Sequence, residues 1–198
     1  VERYVVDSLS FDKDVDVKIF EVNIRILGGL LSMYSHCKNP QVLDKARDFA
    51  DRMLPAFNTP TGIPRYWVNL QTGESRGDTV NVAEAASYTF EMGVLSHFTG
   101  DANYYETGKR ATRAVFNRRS DLNLIGEIID VSSGEWVSTQ SHICAGVDSY
   151  YEYLLKSWVL FQDEELKEIW DVSLPVIHHY LADEYEGQLW YGRSDMHT

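Results

Sequence analysis

The sequence predicts an all-α fold, an α/α toroid built from repeated helical hairpins. A helix that is apolar on nearly every side is followed by a short turn and an amphipathic helix, and this pattern occurs three times in 198 residues. Near the start of each first helix lies a carboxylate, Glu21, Glu84 or Asp148, at separations of 63 and 64 positions. A hairpin with an apolar inner helix must stack against copies of itself. Three copies predict an arc of an unfinished ring.

The first two units carry the pattern most clearly. Residues 17–35 are apolar all round, which predicts an inner helix. Residues 39–57 place their apolar side chains on one stripe, as an outer helix does. In the second unit, residues 81–98 predict the inner helix and residues 104–117 the outer one, with the turn at Gly100.

The third unit follows the same order. Residues 148–161 predict its inner helix, Gln162 the turn, and an outer helix follows to about Tyr185. Because proline lacks an N–H group, we expect Pro175 to bend that helix or to start a new one.

Short β-hairpins are predicted between the units. Residues 66–70 precede a turn at Gly73, and residues 128–132 precede a turn at Gly134, 61 positions later. Glycine suits these turns because it adopts positive φ freely. A third hairpin is expected to open at residues 188–191.

Charge and composition exclude several function classes. The net charge of −12 argues against sequence-independent binding to nucleic acid or to an anionic membrane, and no apolar run of about 18 residues encodes a membrane span. Cys37 and Cys144 fall roughly 20 Å apart in the repeat, too far for a disulfide, so free thiols are expected.

Since the chain starts at Val1 and ends as a hairpin opens, we expect residues 1–198 to be part of a single α/α-barrel domain, truncated at both ends.

The three carboxylates predict a catalytic site, and each also has a structural interpretation. Glu21 lies in an apolar stretch, where desolvation would favour the protonated form that a general acid requires. Alternatively, it forms an i, i+4 pair with Arg25. Asp148 is equally typical of a helix cap, and Glu84 of a first-turn acid that stabilises the helix dipole. Their matching repeat positions favour the functional interpretation.

Aromatic residues cluster beside these acids. Most of them are expected to pack in the core, but three in the connecting segments are candidates for stacking on a ligand. These are Tyr66, Trp67 and Trp136.

Four segments resemble the signature blocks of glycoside hydrolase family 47, the class I α-1,2-mannosidases. They are FEVNIRILGGLLS (20–32), LPAFNTPTGIP (54–64), VNLQTG (68–73) and DSYYEYLLK (148–156). The resemblance covers nearly the whole chain, in the same order. It implies part of an (α/α)7 barrel with calcium at its base, and inverting removal of terminal α-1,2-linked mannose from high-mannose N-glycans.

The resemblance also implies roles for single residues. Glu21 matches the general acid, and Asp148 matches a second core acid that is also proposed as the base. Arg25 and Glu84 match residues that line the mannose subsite. Gly146 stands where the ER processing enzymes of the family have Arg. In this respect the chain is more similar to the ER-degradation-enhancing mannosidase-like branch or to the bacterial members.

Other expectations concern what the chain lacks and where it acts. The resemblance places the other base glutamate and the calcium-binding threonine beyond Thr198, so no metal ligand is expected within this chain. The expected partner is a mannose-containing oligosaccharide or glycoprotein. The compartment would be the secretory pathway in a eukaryote, and the periplasm or exterior in a bacterium. A different class of function, a lectin-like module that binds mannose-rich glycans with little or no hydrolysis, remains the alternative.

Overall fold

The computed structural model describes all 198 residues and contains three consecutive α/α units. The α-helices are α1 (Glu2–Ser8), α2 (Ile19–Val22), α3 (Gly28–Cys37), α4 (Pro40–Met53), α5 (Val82–Ala86), α6 (Thr89–Thr99), α7 (Asn103–Phe116), α8 (Asp148–Phe161) and α9 (Glu164–Leu181). The strands are β1 (Asp16–Lys18), β2 (Trp67–Asn69), β3 (Ser75–Arg76), β4 (Thr79–Asn81), β5 (Ile128–Asp130), β6 (Trp136–Ser138), β7 (Gln140–Ser141), β8 (Ala182–Tyr185), β9 (Gln188–Tyr191) and β10 (Ser194–Asp195).

The helices form an inner and an outer layer, as the repeat predicts. Each inner helix packs against the outer helix that follows it, in the pairs α3–α4, α6–α7 and α8–α9. The inner helices also contact their neighbours, α3 with α6 and α6 with α8. Two buried apolar clusters occupy the space between the layers. The all-α toroidal arc is therefore confirmed.

Each inner helix ends at a residue in the left-handed conformation. These residues are Lys38, Gly100 and Gln162, with φ between 54° and 75°. A left-handed residue ends a helix by turning the chain away from the helix axis. The next outer helix then starts within a few residues, with the side chains of Asn39 and Asp163 capping α4 and α9.

Short antiparallel sheets close the units. The strand that precedes each inner helix pairs with a strand after the outer helix of the same unit, β1 with β2, β4 with β5 and β7 with β10. Gly73 and Gly134 have φ of +73° and +76°, as their predicted turns require. The third hairpin differs from the prediction, because residues 188–191 pair with β8 and the counterpart of β2 and β5 is β10.

The inner helices are less regular than their apolar patterns predict. The first begins at Ile19, because Val17 is paired with Val68 in the sheet, and it contains a π-helical turn over Asn23–Leu27. The second is interrupted between α5 and α6. Such local breaks arise from packing contacts with neighbours, which helical periodicity does not encode.

The outer helix of the third unit also differs from the prediction. It runs without interruption from Glu164 through Pro175 and ends at Leu181, so no new helix starts at the proline. Pro175 is exposed, and so is Asp171, whose carbonyl group loses its helical partner there. Solvent can therefore satisfy that carbonyl.

Apolar side chains are exposed at both edges of the arc. Val159 and Leu160 on α8 are 60% and 50% exposed, and Ile26 on the first inner helix is 38% exposed. Both cysteines are free thiols, as expected. None of the helices has the length and apolar character that crossing a bilayer requires.

A buried ion network joins the second and third units. The Lys109 ammonium lies 2.7 Å from Asp163 and 2.7 Å from Glu165, and the Tyr105 hydroxyl donates to Asp163 at 2.9 Å. Burial alone would raise the pKa of Asp163, but the hydrogen bonds from Lys109 and Tyr105 outweigh burial and lower it. Because Asp163 caps α9, this network determines where that helix starts.

We expect Lys109→Met to destabilise the fold by about 3 kcal/mol, because it leaves the buried carboxylate of Asp163 without its cation. Lys167→Met, which removes the exposed pair with Asp171, is the control and should cost no more than about 1 kcal/mol. The depressed pKa of Asp163 means that the stabilisation is present above about pH 4 and is lost as the pH falls further. Urea unfolding at pH 7 and pH 3 measures both effects. Equal losses for the two variants at pH 7 would contradict the account.

Candidate active site

Three carboxylates lie in the first turns of three adjacent inner segments. Glu21 is in the first turn of α2, Glu84 in that of α5, and Asp148 in that of α8. The short helices α2 and α5 contact each other, and α5 contacts α8. The Ala83 N–H group donates to the Gly146 carbonyl at 2.9 Å, which ties the start of α5 to the loop before α8. The structure therefore brings these first turns together at one end of the arc.

Glu21 is more exposed than its apolar neighbours in sequence suggest. Its side chain is 42% exposed, so the expected desolvation is wrong for this chain. Its carboxylate accepts a hydrogen bond from the Arg25 guanidinium at 2.6 Å, and Arg25 is 69% exposed. The i, i+4 pair is therefore present, and it orients the carboxyl group without covering it.

Glu84 has both a capping role and a perturbed environment. Its backbone N–H donates to the Asn81 side chain at 2.9 Å, and its carboxylate accepts from the Asn81 N–H at 3.2 Å, which is a complete capping box. Partial burial raises the pKa of Glu84, and the negative charge of Glu21 adds to this, while Asn81 and Lys18 oppose it. Perturbed carboxyl groups of this kind are frequent in active sites.

Asp148 is not the helix cap that one interpretation predicted. The N-cap position of α8 is Val147, and Asp148 is the first helical residue, exposed and without an ion-pair partner. Its carboxylate accepts from the Ser149 N–H at 2.9 Å. An aspartate there gains from the helix dipole and keeps one oxygen free for a ligand or water.

The loop before α8 favours a glycine at position 146. Gly146 has φ of +95°, a conformation that side chains other than glycine rarely adopt. A Cβ atom there would meet only ordinary contacts with Asn81, at 3.7 Å. In this chain the backbone conformation, rather than a clash at Cβ, therefore disfavours residues other than glycine at this position.

Tyr66 and Trp67 form an aromatic pair beside the carboxylates. Their rings are 5.2 Å apart, and the Lys18 ammonium lies 5.2 Å and 5.5 Å from the two ring centres. Lys18 is on β1, and Arg76 is on β3, the strand on the other side of β2. The Arg76 guanidinium lies 5.4 Å from the centre of the Trp67 ring. Trp67 thus lies between two cations, both within the range of cation–π attraction.

Trp136 belongs to a different sheet, β4–β5–β6, and packs against the second apolar cluster. Its indole N–H donates to the Arg118 carbonyl at 2.7 Å, so its single donor is already used. These contacts give Trp136 a packing role, and its stacking on a ligand stays a prediction.

Sequence reasoning missed Lys18. The pKa of Lys18 is raised, first by the nearby Tyr66 and then by the negative charges of Glu84 and Glu21. Lys18 lies three positions before Glu21, as Asn81 lies three positions before Glu84, and both residues end the strand that leads into an inner helix. Aligning the repeats one residue at a time would have singled out this position.

The residues of this chain do not form a calcium site. No group of three or more His, Cys, Asp or Glu side chains is arranged to hold a metal ion. The carboxylates of the site face hydrogen-bond donors and cations instead.

Stacked α/α units with carboxylates in their first turns are typical of carbohydrate-active toroid proteins. The family model that matches is Glycosyl hydrolase family 47, over residues 1–196, and the chain belongs to that family. It is 38% identical to Alpha-mannosidase I MNS5 of Arabidopsis thaliana, over 94% of this chain and 35% of the relative. It is 41% identical to the human ER degradation-enhancing alpha-mannosidase-like protein 2, over 81% of this chain and 30% of the relative.

A solved structure supports the fold. The α-1,2-mannosidase from Trichoderma reesei superposes with a TM-score of 0.87 at 24% identity, covering 98% of this chain and 46% of that one. The chain spans about a third of the length of the curated relatives it matches.

We expect Lys18→Met to raise the pKa of Glu84 further, because Lys18 is one of the groups that oppose the effect of burial. Carboxyl-selective ¹³C NMR titration of the protein measures the shift. Lys13→Met removes an exposed lysine that makes no ion pair, and it should leave the titration of Glu84 unchanged. An unchanged Glu84 titration in Lys18→Met would show that the two groups are not coupled.

Proposed function

We propose that the complete protein is an exo-acting, inverting glycoside hydrolase that removes terminal α-1,2-linked mannose from high-mannose N-glycans. The observation that carries the proposal is the meeting of three carboxylate-bearing first turns at one end of the arc. Membership of glycosyl hydrolase family 47 and the names of the relatives support the choice of mannose.

The chemistry requires two carboxyl groups with different roles. An inverting glycosidase uses one as the acid that protonates the leaving oxygen and the other as the base that activates water. We assign the acid role to Glu21, acting directly or through a water. Asp148 is assigned to water activation, because its side chain is exposed and has no cationic partner. Arg25 orients Glu21 through their hydrogen bond.

The remaining residues fit substrate binding. We assign Glu84 to the hydroxyl groups of the terminal mannose, since its carboxylate oxygens can accept hydrogen bonds from them. Tyr66 and Trp67 offer aromatic surface beside it, where the apolar face of a sugar ring can stack. Trp136 has a packing role in this chain and is the weakest of the assigned ligand contacts.

We also propose that residues 1–198 are part of a single α/α-barrel domain. The exposed apolar residues Val159 and Leu160 support this, because further helical units would bury them. Calcium belongs to this part of the proposal: its ligands would come from outside the chain, and it would supply binding of the sugar hydroxyl groups.

A lectin-like role is the second candidate. The relatives named ER degradation-enhancing alpha-mannosidase-like proteins favour it, since their name links them to degradation in the ER. Incubation of the complete protein with a high-mannose glycan separates the two functions. Loss of one hexose by mass supports the hydrolase, whereas binding without any mass loss supports the lectin.

We expect Glu21→Gln to lower the turnover of the complete protein on α-1,2-mannobiose by about 10²–10⁴-fold, because an amide keeps the shape but cannot deliver a proton. Binding of the disaccharide should survive. The control is Glu135→Gln, in the exposed β5–β6 turn, which should retain wild-type turnover. Near-wild-type turnover in Glu21→Gln would assign the acid role to another residue.

A further inference from the structure

A buried polar network joins the three inner helical segments that follow the three carboxylates. Its centre is Asn23, which is fully buried and is the first residue of the π-helical turn. The Asn23 amide donates to the Ser87 carbonyl at 3.2 Å and to the Glu91 carboxylate at 2.9 Å. Both partners belong to the second unit, so Asn23 ties the first inner helix to the second.

Glu91 extends the network to the third unit. Its other carboxylate oxygen accepts from the Tyr153 hydroxyl of α8 at 2.9 Å. Burial raises the pKa of Glu91, and the hydrogen bonds from Tyr153 and Asn23 oppose that shift. One buried carboxyl group thus receives donors from the inner helices on both sides of its own.

The same network reaches the residues of the site. Asn23 is two positions after Glu21. The Ser87 hydroxyl, at the end of α5, donates to the Ser149 hydroxyl at 2.9 Å, and the Ser149 N–H donates to Asp148. Hydrogen bonds, joined through the covalent structure of Ser87 and Ser149, therefore connect the helix of Glu21 to the carboxylate of Asp148.

Packing alone does not explain a polar residue at position 23. The side-chain amide oxygen of Asn23 is buried and has no hydrogen-bond partner, which is costly. A leucine has the same branching at Cγ and would carry no unpaired oxygen there. The amide is explained by the two hydrogen bonds that it donates. Hydrogen bonds are directional, so they fix the position of one helix along its neighbour, whereas apolar contacts do not.

We propose that Asn23 and Glu91 are positioning residues, which hold the first turns of the three inner segments in register and so align Glu21 with Asp148. The catalytic consequence rests on the proposed hydrolase function, whereas the alignment itself does not. Neither residue touches the substrate. They act through the backbone of the helices that carry the acids.

The test uses the complete protein with two variants of the network. Asn23→Leu removes both donated bonds, and Tyr153→Phe removes only one hydroxyl from the opposite side. The control is Thr89→Val, which breaks the buried 2.8 Å hydrogen bond between Thr89 and Ser157. Like the bond between Glu91 and Tyr153, that bond joins α6 to α8, but neither of its hydroxyl groups is hydrogen-bonded to Asn23 or Glu91.

We expect Asn23→Leu to lower kcat on α-1,2-mannobiose by about 10–100-fold with little change in KM. A small displacement of the catalytic carboxyl groups lowers the rate of reaction more than it weakens substrate binding. Tyr153→Phe should show a smaller loss of the same kind. Thr89→Val should lower the melting temperature as much as Tyr153→Phe does and keep kcat near the wild-type value. Wild-type kcat in folded Asn23→Leu would overturn the proposal.

Crystal structures of the same variants test the alignment independently of turnover. The separation of the Glu21 and Asp148 carboxyl carbons should change by about 1 Å in Asn23→Leu and not in Thr89→Val. An unchanged separation would overturn the proposal whether or not the wild-type protein hydrolyses the disaccharide. If the wild-type protein shows no turnover but the distance between the two carboxyl carbons changes in Asn23→Leu, the positioning role is supported and the hydrolase function is rejected.

Discussion

The pairing of short strands determines where each inner helix starts, and the candidate site depends on those starts. In the first two units the strand before the inner helix leads directly into it, so the carboxylate follows three positions after the strand ends. In the third unit a loop of residues 142–147 separates β7 from Asp148. The sheets thus fix the position of each helix start in the first two units. In the third unit, the loop places Asp148 seven positions after the strand ends.

Apolar packing and polar contacts have different tasks in this arc. The two buried clusters supply the burial that makes helical units stack, and burial is not directional. Alignment at the carboxylate end comes from hydrogen bonds between side chains far apart in sequence, such as Asn23 with Glu91. The Lys109 network has the same task in the outer layer, since it aligns the start of α9 with α7. Apolar burial therefore stabilises the stacked units, whereas the polar contacts fix how the units are aligned and add to the stability.

Much of the fold could be predicted from the sequence, because helical periodicity and repeat spacing are local signals. The bounds of α8, residues 148–161, agree with the prediction. The exposure of Glu21 could not be predicted, because an apolar pattern does not say which side of a helix has a neighbour. The contact of Lys18 with Tyr66 and that of Asn23 with Glu91 join residues 48 and 68 positions apart, which no local pattern encodes. The repeat spacing could predict which positions carry acidic residues of the site. The residues that contact them could be identified only from the folded structure.

The central claim is that the three first turns form one site for a terminal mannose. The most direct measurement is a crystal structure of the complete Glu21→Gln protein with uncleaved α-1,2-mannobiose. The account predicts that the terminal sugar lies within hydrogen-bonding distance of residue 21, Glu84 and Asp148, about 2.5–3.2 Å between heavy atoms. A disaccharide bound elsewhere, or in contact with only one of the three, would contradict it.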